Sequence, residues 1–155
     1  MILGIGVDLV ALPAFREQAG SPGSVFIGRT FTARELRAAR ARATARGLAP
    51  DDPAALAPHL AARWAAKEAA VKAWSAALAG VAPPIPEERL DWREIEVSAD
   101  HWGRPALVLH GRVGAEAERG LGPGLAWHVS LTHDGEYAQA FVVLERLPDA
   151  FAATG

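Results

Sequence analysis

Two carboxylates and a lysine are the side chains of this sequence whose types and spacing best suit chemistry. Within Arg63-Trp64-Ala65-Ala66-Lys67-Glu68-Ala69-Ala70-Val71-Lys72-Ala73-Trp74-Ser75, the residues Glu68, Lys72 and Ser75 stand at i, i+4 and i+7 and share one helix edge. A surface Glu–Lys pair at this spacing stabilises a helix by about 0.3–0.5 kcal/mol and needs no other role. This pair, however, borders the apolar stripe Leu60, Trp64, Val71, Trp74 and Leu78. Lys67 and Lys72 are also the only lysines in a chain that otherwise takes its positive charge from arginine. Lysine is a compact charge that meets a phosphate without the forked geometry of a guanidinium.

Asp8 closes an alternating run in which Leu3, Ile5, Val7 and Leu9 occupy one face and Gly4, Gly6 and Asp8 the other. The glycine face is bare backbone, open to a ligand or another chain. If this strand packs beside the helix, Asp8 and Glu68 suit a hard cation. Mg²⁺ takes one or two carboxylates and completes its shell with water and phosphate oxygens.

Other chemistries fit poorly. His128, Ser130 and Thr132 share one side of a strand, too close in sequence to assemble a nucleophile, base and orienter around one atom. His133, next to Asp134-Gly135, reads as a turn residue, and the histidine spacings match no zinc ligand pair. There is no cysteine, and no glycine-rich phosphate loop opens a helix. The net charge of −2 and the scattered basic residues give no footprint for nucleic acid or a membrane, so any phosphate chemistry must be local.

The positioning elements follow from periodicity and punctuation. The 155 residues, 50% of them apolar, suit one domain over 1–147, with 148–155 as a flexible tail. After the first strand, Pro13 starts a short helix that Gly20–Gly23 ends. Thr32-Ala33-Arg34-Glu35 has capping-box spacing and opens a helix to Arg46. Residues 47–58 read as a loop, and the long helix runs from about Ala54 or Leu56 to Ala79. Strands are predicted over Trp92–Val97 and Ala106–His110, a short helix over Arg112–Gly120, and a closing hairpin of Ala126–Thr132 and Tyr137–Glu145 about Asp134-Gly135. Asp8 interrupts the first apolar run, and the charge-free stretch Ala73–Pro86 is too short to span a bilayer, so a soluble cytoplasmic protein is expected.

Nearly end to end, the chain resembles the holo-acyl-carrier-protein synthases, the small bacterial class of 4′-phosphopantetheinyl transferases. The resemblance lies in Ile5-Gly6-Val7-Asp8-Leu9-Val10, Phe31-Thr32-Ala33-Arg34-Glu35-Leu36, Arg63 to Ala69 with Lys72-Ala73-Trp74, and Ile95-Glu96-Val97. It continues through Gly103-Arg104-Pro105, Trp127 to His133, and Tyr137-Ala138. The variants Lys-Ala-Trp-Ser and Trp-Gly-Arg-Pro look most like actinobacterial members.

The resemblance implies an α+β fold, with a small antiparallel-rich sheet on a long central helix, and a homotrimer binding coenzyme A between subunits. It implies an enzyme that moves 4′-phosphopantetheine from coenzyme A to an apo acyl carrier protein, using Mg²⁺ and serving fatty acid or polyketide biosynthesis. It carries the metal carboxylates onto Asp8 and Glu68, the phosphate-contacting lysine onto Lys72, and a histidine near the phosphate onto His128, supplied in such a trimer by the neighbouring chain. The base is Glu68, His128 or a metal-bound water. Coenzyme A contacts are expected at Arg63, Lys72, Ser75, Gly103, Arg104, Pro105 and Thr132, and carrier contacts at Arg16, Phe26 and Arg29. Two features depart from the family. The early Gly-Thr-Gly turn after the helix lysine is missing from Ser75–Gly80, and the 47–58 loop is longer than in the smallest members. The rival readings are a non-catalytic coenzyme A or carrier-binding module of the same fold, and another Mg²⁺-dependent phosphotransferase, which would bring a phosphate loop.

Overall fold

The computed structural model describes residues 1–148, so positions 149–155 of the expected tail lie outside the described residues. The elements follow in the order β1 (Ile2–Ala11), α1 (Leu12–Gly20), α2 (Phe26–Thr30), α3 (Ala33–Ala45), α4 (Pro53–Ala77), β2 (Ile95–Ala99), β3 (Pro105–Leu109), α5 (Gly111–Leu121), β4 (Leu125–Asp134) and β5 (Tyr137–Arg146). One antiparallel sheet has the order β1-β5-β4, and β2 and β3 form a separate hairpin. The architecture is α+β with small antiparallel sheets, as expected. Among the described residues no helix is long and apolar enough to cross a membrane.

The contact that sets the geometry is α4 against β1. A Cβ on Gly4 would lie 2.1 Å from the carbonyl oxygen of Ala73, and one on Gly6 would lie 1.9 Å from that of Ala69. Even a methyl group has no room there, so the two glycines let the strand lie directly on the helix backbone. The bare face is therefore closed by the chain's own helix and not open to a ligand. The opposite face carries Ile5, Val7 and Leu9, which are 51%, 46% and 59% exposed.

α4 meets this strand with small residues. Ala65, Ala66, Ala69 and Ala73 are wholly buried, as are Ala138 and Val142 on the adjoining β5. Of the apolar stripe, Leu60 and Trp74 are buried, while Trp64, Val71 and Leu78 are partly exposed. A stripe of large residues underestimates how much of an alanine-rich helix is inside.

The Thr32–Glu35 capping box forms with both of its hydrogen bonds. Glu35 is itself buried, and its carboxylate also accepts from the Val97 backbone N–H at 3.0 Å and from Lys67 at 3.0 Å. Lys67 completes its donor set on the carbonyls of Trp92 and Ile95. It thus points away from Glu68 and ties α4 to α3 and β2. Only Lys72 of the two lysines lies beside the candidate carboxylates.

Several boundaries move. Asp52 caps α4 by accepting from Ala54 N–H at 2.9 Å, and Pro53 takes the first helical position, so this part of the expected 47–58 loop opens the helix. Leu78 caps the other end, before the expected Ala79. Asp91 accepts from Arg93 N–H and turns Trp92–Glu94 into a 3₁₀ turn, delaying β2 to Ile95. The five-residue α2 was not expected, because it is too short to show a period. Its Phe26 joins Phe15, Phe31 and Trp64 in edge-to-face contacts of 5.3–6.4 Å.

Candidate active site

Strand alternation and the glycine contact together fix the first site. Gly4 and Gly6 lie on α4, so Asp8, two residues further on the same face, must also point at the helix. There it meets Glu68 and Lys72, one turn apart. Lys72 Nζ donates to Asp8 Oδ1 at 2.7 Å and to the Val7 carbonyl at 3.2 Å. Asp8 Oδ2 is buried and, while both carboxyls are ionised, has no hydrogen-bond partner among the described residues.

Glu68 is held away from its ordinary acidity. Burial, then a hydrogen bond to Asp8 and the charge of Asp8, push its pKa up from 4.5 to about 7, against the pull of Lys72; Glu87 adds to the rise. Two carboxylates crowded in this way share a proton or a cation. Among the described residues no group of three or more His, Asp or Glu side chains gathers, so the pair would leave the remaining positions of a bound ion to other ligands. Glu68 also lines a cleft of about 630 Å³ with Arg29, Phe26, Trp64, Glu87 and Arg89. Two of the expected carrier contacts, Phe26 and Arg29, therefore border the same cleft. Phe26 is packed into the aromatic cluster, which leaves Arg29 as the exposed one of the two. Arg16 is exposed on α1, at the rim of an apolar recess with Phe15, Ile27 and Leu60.

His128 is elsewhere. Asp8 pairs with Ala140 and Ala140 with Leu131, all on the inner face, whereas His128 pairs with Val143 and projects outward. Its Nε2 lies 2.9 Å from Glu145 Oε2. Within one chain the sheet separates His128 from the carboxylate pair. Its outward face is shared with Ile5, Val7, Leu9 and the 45%-exposed Phe141.

The expected coenzyme A contacts divide. Arg63, Gly103, Pro105 and Thr132 line one cavity of about 200 Å³, together with Arg42, Arg46, His59 and His133. Lys72 stays with Asp8. Ser75 faces an apolar recess formed with Trp74, Pro83, Pro84 and Ile85. Arg104 is exposed at the β2–β3 turn, paired with Asp100 at 2.5 Å and stacked 4.8 Å from the Trp102 ring.

Sequence reasoning missed the cationic character of this cavity. Arg42 and Arg46 are one turn apart at the end of α3, and His59 and Arg63 one turn apart on α4. His133 is not a turn residue: it lies near the end of β4, its ring 6.0 Å from that of His59 and perpendicular to it. Burial, followed by Arg46, Arg63, Arg42 and His133, lowers the His59 pKa to about 4. Burial likewise lowers that of Arg63, while Glu35 opposes the shift. The i, i+4 spacings were visible in sequence, but nothing there joined the two pairs.

A model of the 4′-phosphopantetheinyl transferase superfamily matches residues 4–142. The chain belongs to that superfamily. It is 45% identical to a holo-[acyl-carrier-protein] synthase of Corynebacterium efficiens over 143 residues, 92% of this chain and 94% of the relative. To the enzyme of that name from Mycobacterium tuberculosis it is 43% identical over 144 residues, covering 93% and 97% of the two chains. A solved structure described as a Chronobacterium ammoniagenes ACPS–CoA complex superposes with a TM-score of 0.81 at 41% identity, over 94% of this chain and 98% of that one. The actinobacterial relatives agree with the tryptophan-rich variants noted in the sequence. Both the carboxylate pair and the cationic cavity of this phosphopantetheinyl transferase lie within the matched residues.

Proposed function

We propose that the chain is a holo-acyl-carrier-protein synthase that transfers 4′-phosphopantetheine from coenzyme A to a serine of an apo acyl carrier protein or carrier domain. It would act in the cytoplasm and serve fatty acid or polyketide biosynthesis. The observation that carries the reading is the half-buried Asp8–Glu68 pair, its Asp8 Oδ2 unpartnered among the described residues and Lys72 beside it, in a chain over 40% identical to enzymes of that name.

The serine Oγ attacks the β-phosphorus of coenzyme A, the bond from that phosphorus to the bridging oxygen breaks, and adenosine 3′,5′-bisphosphate leaves with the electron pair. Asp8 Oδ2 and Glu68 fit Mg²⁺, being two hard oxygen donors, one of them without a partner among the described residues. When bound, Mg²⁺ supplies charge neutralisation and polarisation at the pyrophosphate. Lys72 places a second positive charge there. The serine proton requires a base: Glu68 stands at the site within one chain, a metal-bound water would stand beside it, and His128, which faces away within one chain, would have to come from a neighbouring subunit.

The remaining parts find support in the surfaces. The cationic cavity suits the 3′-phosphate end of coenzyme A, and exposed Arg16 and Arg29 suit an acidic carrier. The exposed apolar face bearing Ile5, Val7, Leu9 and Phe141 suits a homotrimer interface, which would bring His128 to a neighbour's site. Light scattering is expected to give three chain masses of 16.3 kDa each; a monomer would overturn this arrangement.

The raised pKa of Glu68 fixes the sign of a pH effect. A carboxylate that holds its proton more tightly when folded favours the metal-free protein at low pH, and this contribution fades as pH rises from 4.5 towards about 7. Mg²⁺ must displace that proton. The thermal shift produced by Mg²⁺ is therefore expected to be larger at pH 8 than at pH 6, and equal shifts would contradict the assignment. The proposed activity itself is tested by chromatography of adenosine 3′,5′-bisphosphate released from coenzyme A with Mg²⁺ and an apo carrier. Carrier-dependent release is expected. Coenzyme A binding without release would favour a non-catalytic binding module.

A further inference from the structure

The cavity between the end of α3, the first half of α4 and β4 is built unlike an ordinary basic surface. Arg42 and Arg46 enter from α3, His59 and Arg63 from α4, and His133 from β4. Among the described residues no carboxylate lines it and none of its three arginines forms a salt bridge. Gly103 leaves room for the guanidinium of Arg42, whose Nη2 lies 3.1 Å from where a Cβ would stand. Two nitrogens, His59 Nε2 and Arg63 Nε, are buried without a partner among the described residues. Buried polar groups in folded proteins normally have one; Arg63 Nε carries a hydrogen and awaits an acceptor, and His59 Nε2 does so when it carries the ring proton. An acceptor welcomed by three guanidiniums is an anion.

We propose that His59 contacts the 3′-phosphate of coenzyme A and is a specificity-determining residue that holds this phosphate as an imidazolium. The proposal rests on the reading that the cavity takes that end of coenzyme A. The groups facing His59 are cationic: Arg42 and Arg46 from α3, Arg63 from its own helix and His133 from β4. With burial they keep the imidazole uncharged at neutral pH. A phosphate dianion among the same groups reverses the sign of the local field. The imidazolium then makes a charge-assisted bond where the neutral ring makes a weaker one. By linkage, a ligand that raises the affinity for a proton binds more tightly as protons become available. Phosphate affinity therefore rises as pH falls below neutrality, until the phosphate itself is protonated near pH 6. Dephospho-coenzyme A, which lacks the monoester, gains nothing from His59.

Calorimetry of coenzyme A binding at pH 7.5, in two buffers of different ionisation enthalpy, counts the protons exchanged. Wild type is expected to take up more protons per ligand than His59→Gln, which can donate a hydrogen bond but cannot titrate. The variant should also lose about ten-fold of the preference for coenzyme A over dephospho-coenzyme A. Its binding of dephospho-coenzyme A should stay unchanged, which doubles as the check on folding. Equal proton uptake by wild type and variant overturns the proposal. A measurement free of any variant is the ring carbon resonance of labelled His59 in wild type, which should move to the imidazolium position on adding coenzyme A; an unmoved signal overturns it equally. Arg46→Ala separates the two levels. If it leaves the preference intact, the cavity is not the phosphate site and both readings fall. If it erases the preference while His59 takes up no proton, only the role of His59 falls.

Discussion

Replacing Asp8 by alanine is expected to lower kcat/KM by at least ~10²–10³, the scale on which loss of one preorganised electrostatic group raises a barrier. The substitution removes the buried Oδ2 that has no partner among the described residues and the oxygen that holds Lys72 at 2.7 Å. It also removes the negative charge that helps raise Glu68. Three changes follow together: the proposed cation site loses a donor, Lys72 loses its anchor, and Glu68 moves back towards its ordinary acidity. Glu68→Ala should fall in the same range. Glu68→Gln keeps the shape and removes the charge, so a loss of the same size would assign the effect to charge. Turnover near that of wild type in Asp8→Ala would refute the assignment. Because Asp8 is near Gly6 on the tight β1–α4 contact, the Tm of each variant should be measured alongside.

Lys67→Ala is expected to cost about 3–5 kcal/mol of stability, because breaking one half of a buried pair leaves the other half charged and uncompensated. Lys67 and Glu35 are both fully buried, and the ammonium donates to Glu35 and to two backbone carbonyls. Burial lowers the Lys67 pKa while Glu35 opposes that shift. Without the ammonium, the Glu35 carboxylate keeps only its Thr32 and Val97 amide partners, and the carbonyls of Trp92 and Ile95 lose a donor. In a domain of this size the loss corresponds to a fall in Tm of roughly 6–20 °C. Denaturant unfolding followed by tryptophan fluorescence reads it directly. A change below about 1 kcal/mol, the scale of an exposed pair, would show that Lys67 is not held as described.

The contrast between the two lysines shows where the sequence was legible. Both lysines of a chain otherwise charged by arginine fall within one turn of Glu68; Lys72 lies beside Asp8, yet Lys67, one residue before Glu68, points to a different side of the helix and ties α4 to α3 and β2. The closing hairpin was readable because alternation and Asp134-Gly135 are both local signals, and so was the Thr32–Glu35 capping box. The face of β1 was harder. Gly4, Gly6 and Asp8 looked like an approach for a ligand, but only the packing of α4 shows that helix backbone fills the glycine stretch and leaves the carboxylate at its end.

The cationic cavity was the least legible part. Its residues come from positions 42 to 133, carry no motif, and are joined only by tertiary packing. His133 was hidden because its neighbours Asp134-Gly135 dominate a local reading. His128 has the converse history: resemblance places it near the phosphate, while strand register puts it on the far face of its own sheet. The two agree if a neighbouring subunit supplies it.

The central claim is phosphopantetheine transfer, and the intact mass of the carrier tests it most directly. An apo acyl carrier protein incubated with this protein, coenzyme A and Mg²⁺ should gain the mass of one 4′-phosphopantetheine group on its serine, and should gain nothing when Asp8→Ala replaces wild type at the same concentration for the same short time. A carrier whose mass stays unchanged with wild-type protein, across several apo carriers, would contradict the account.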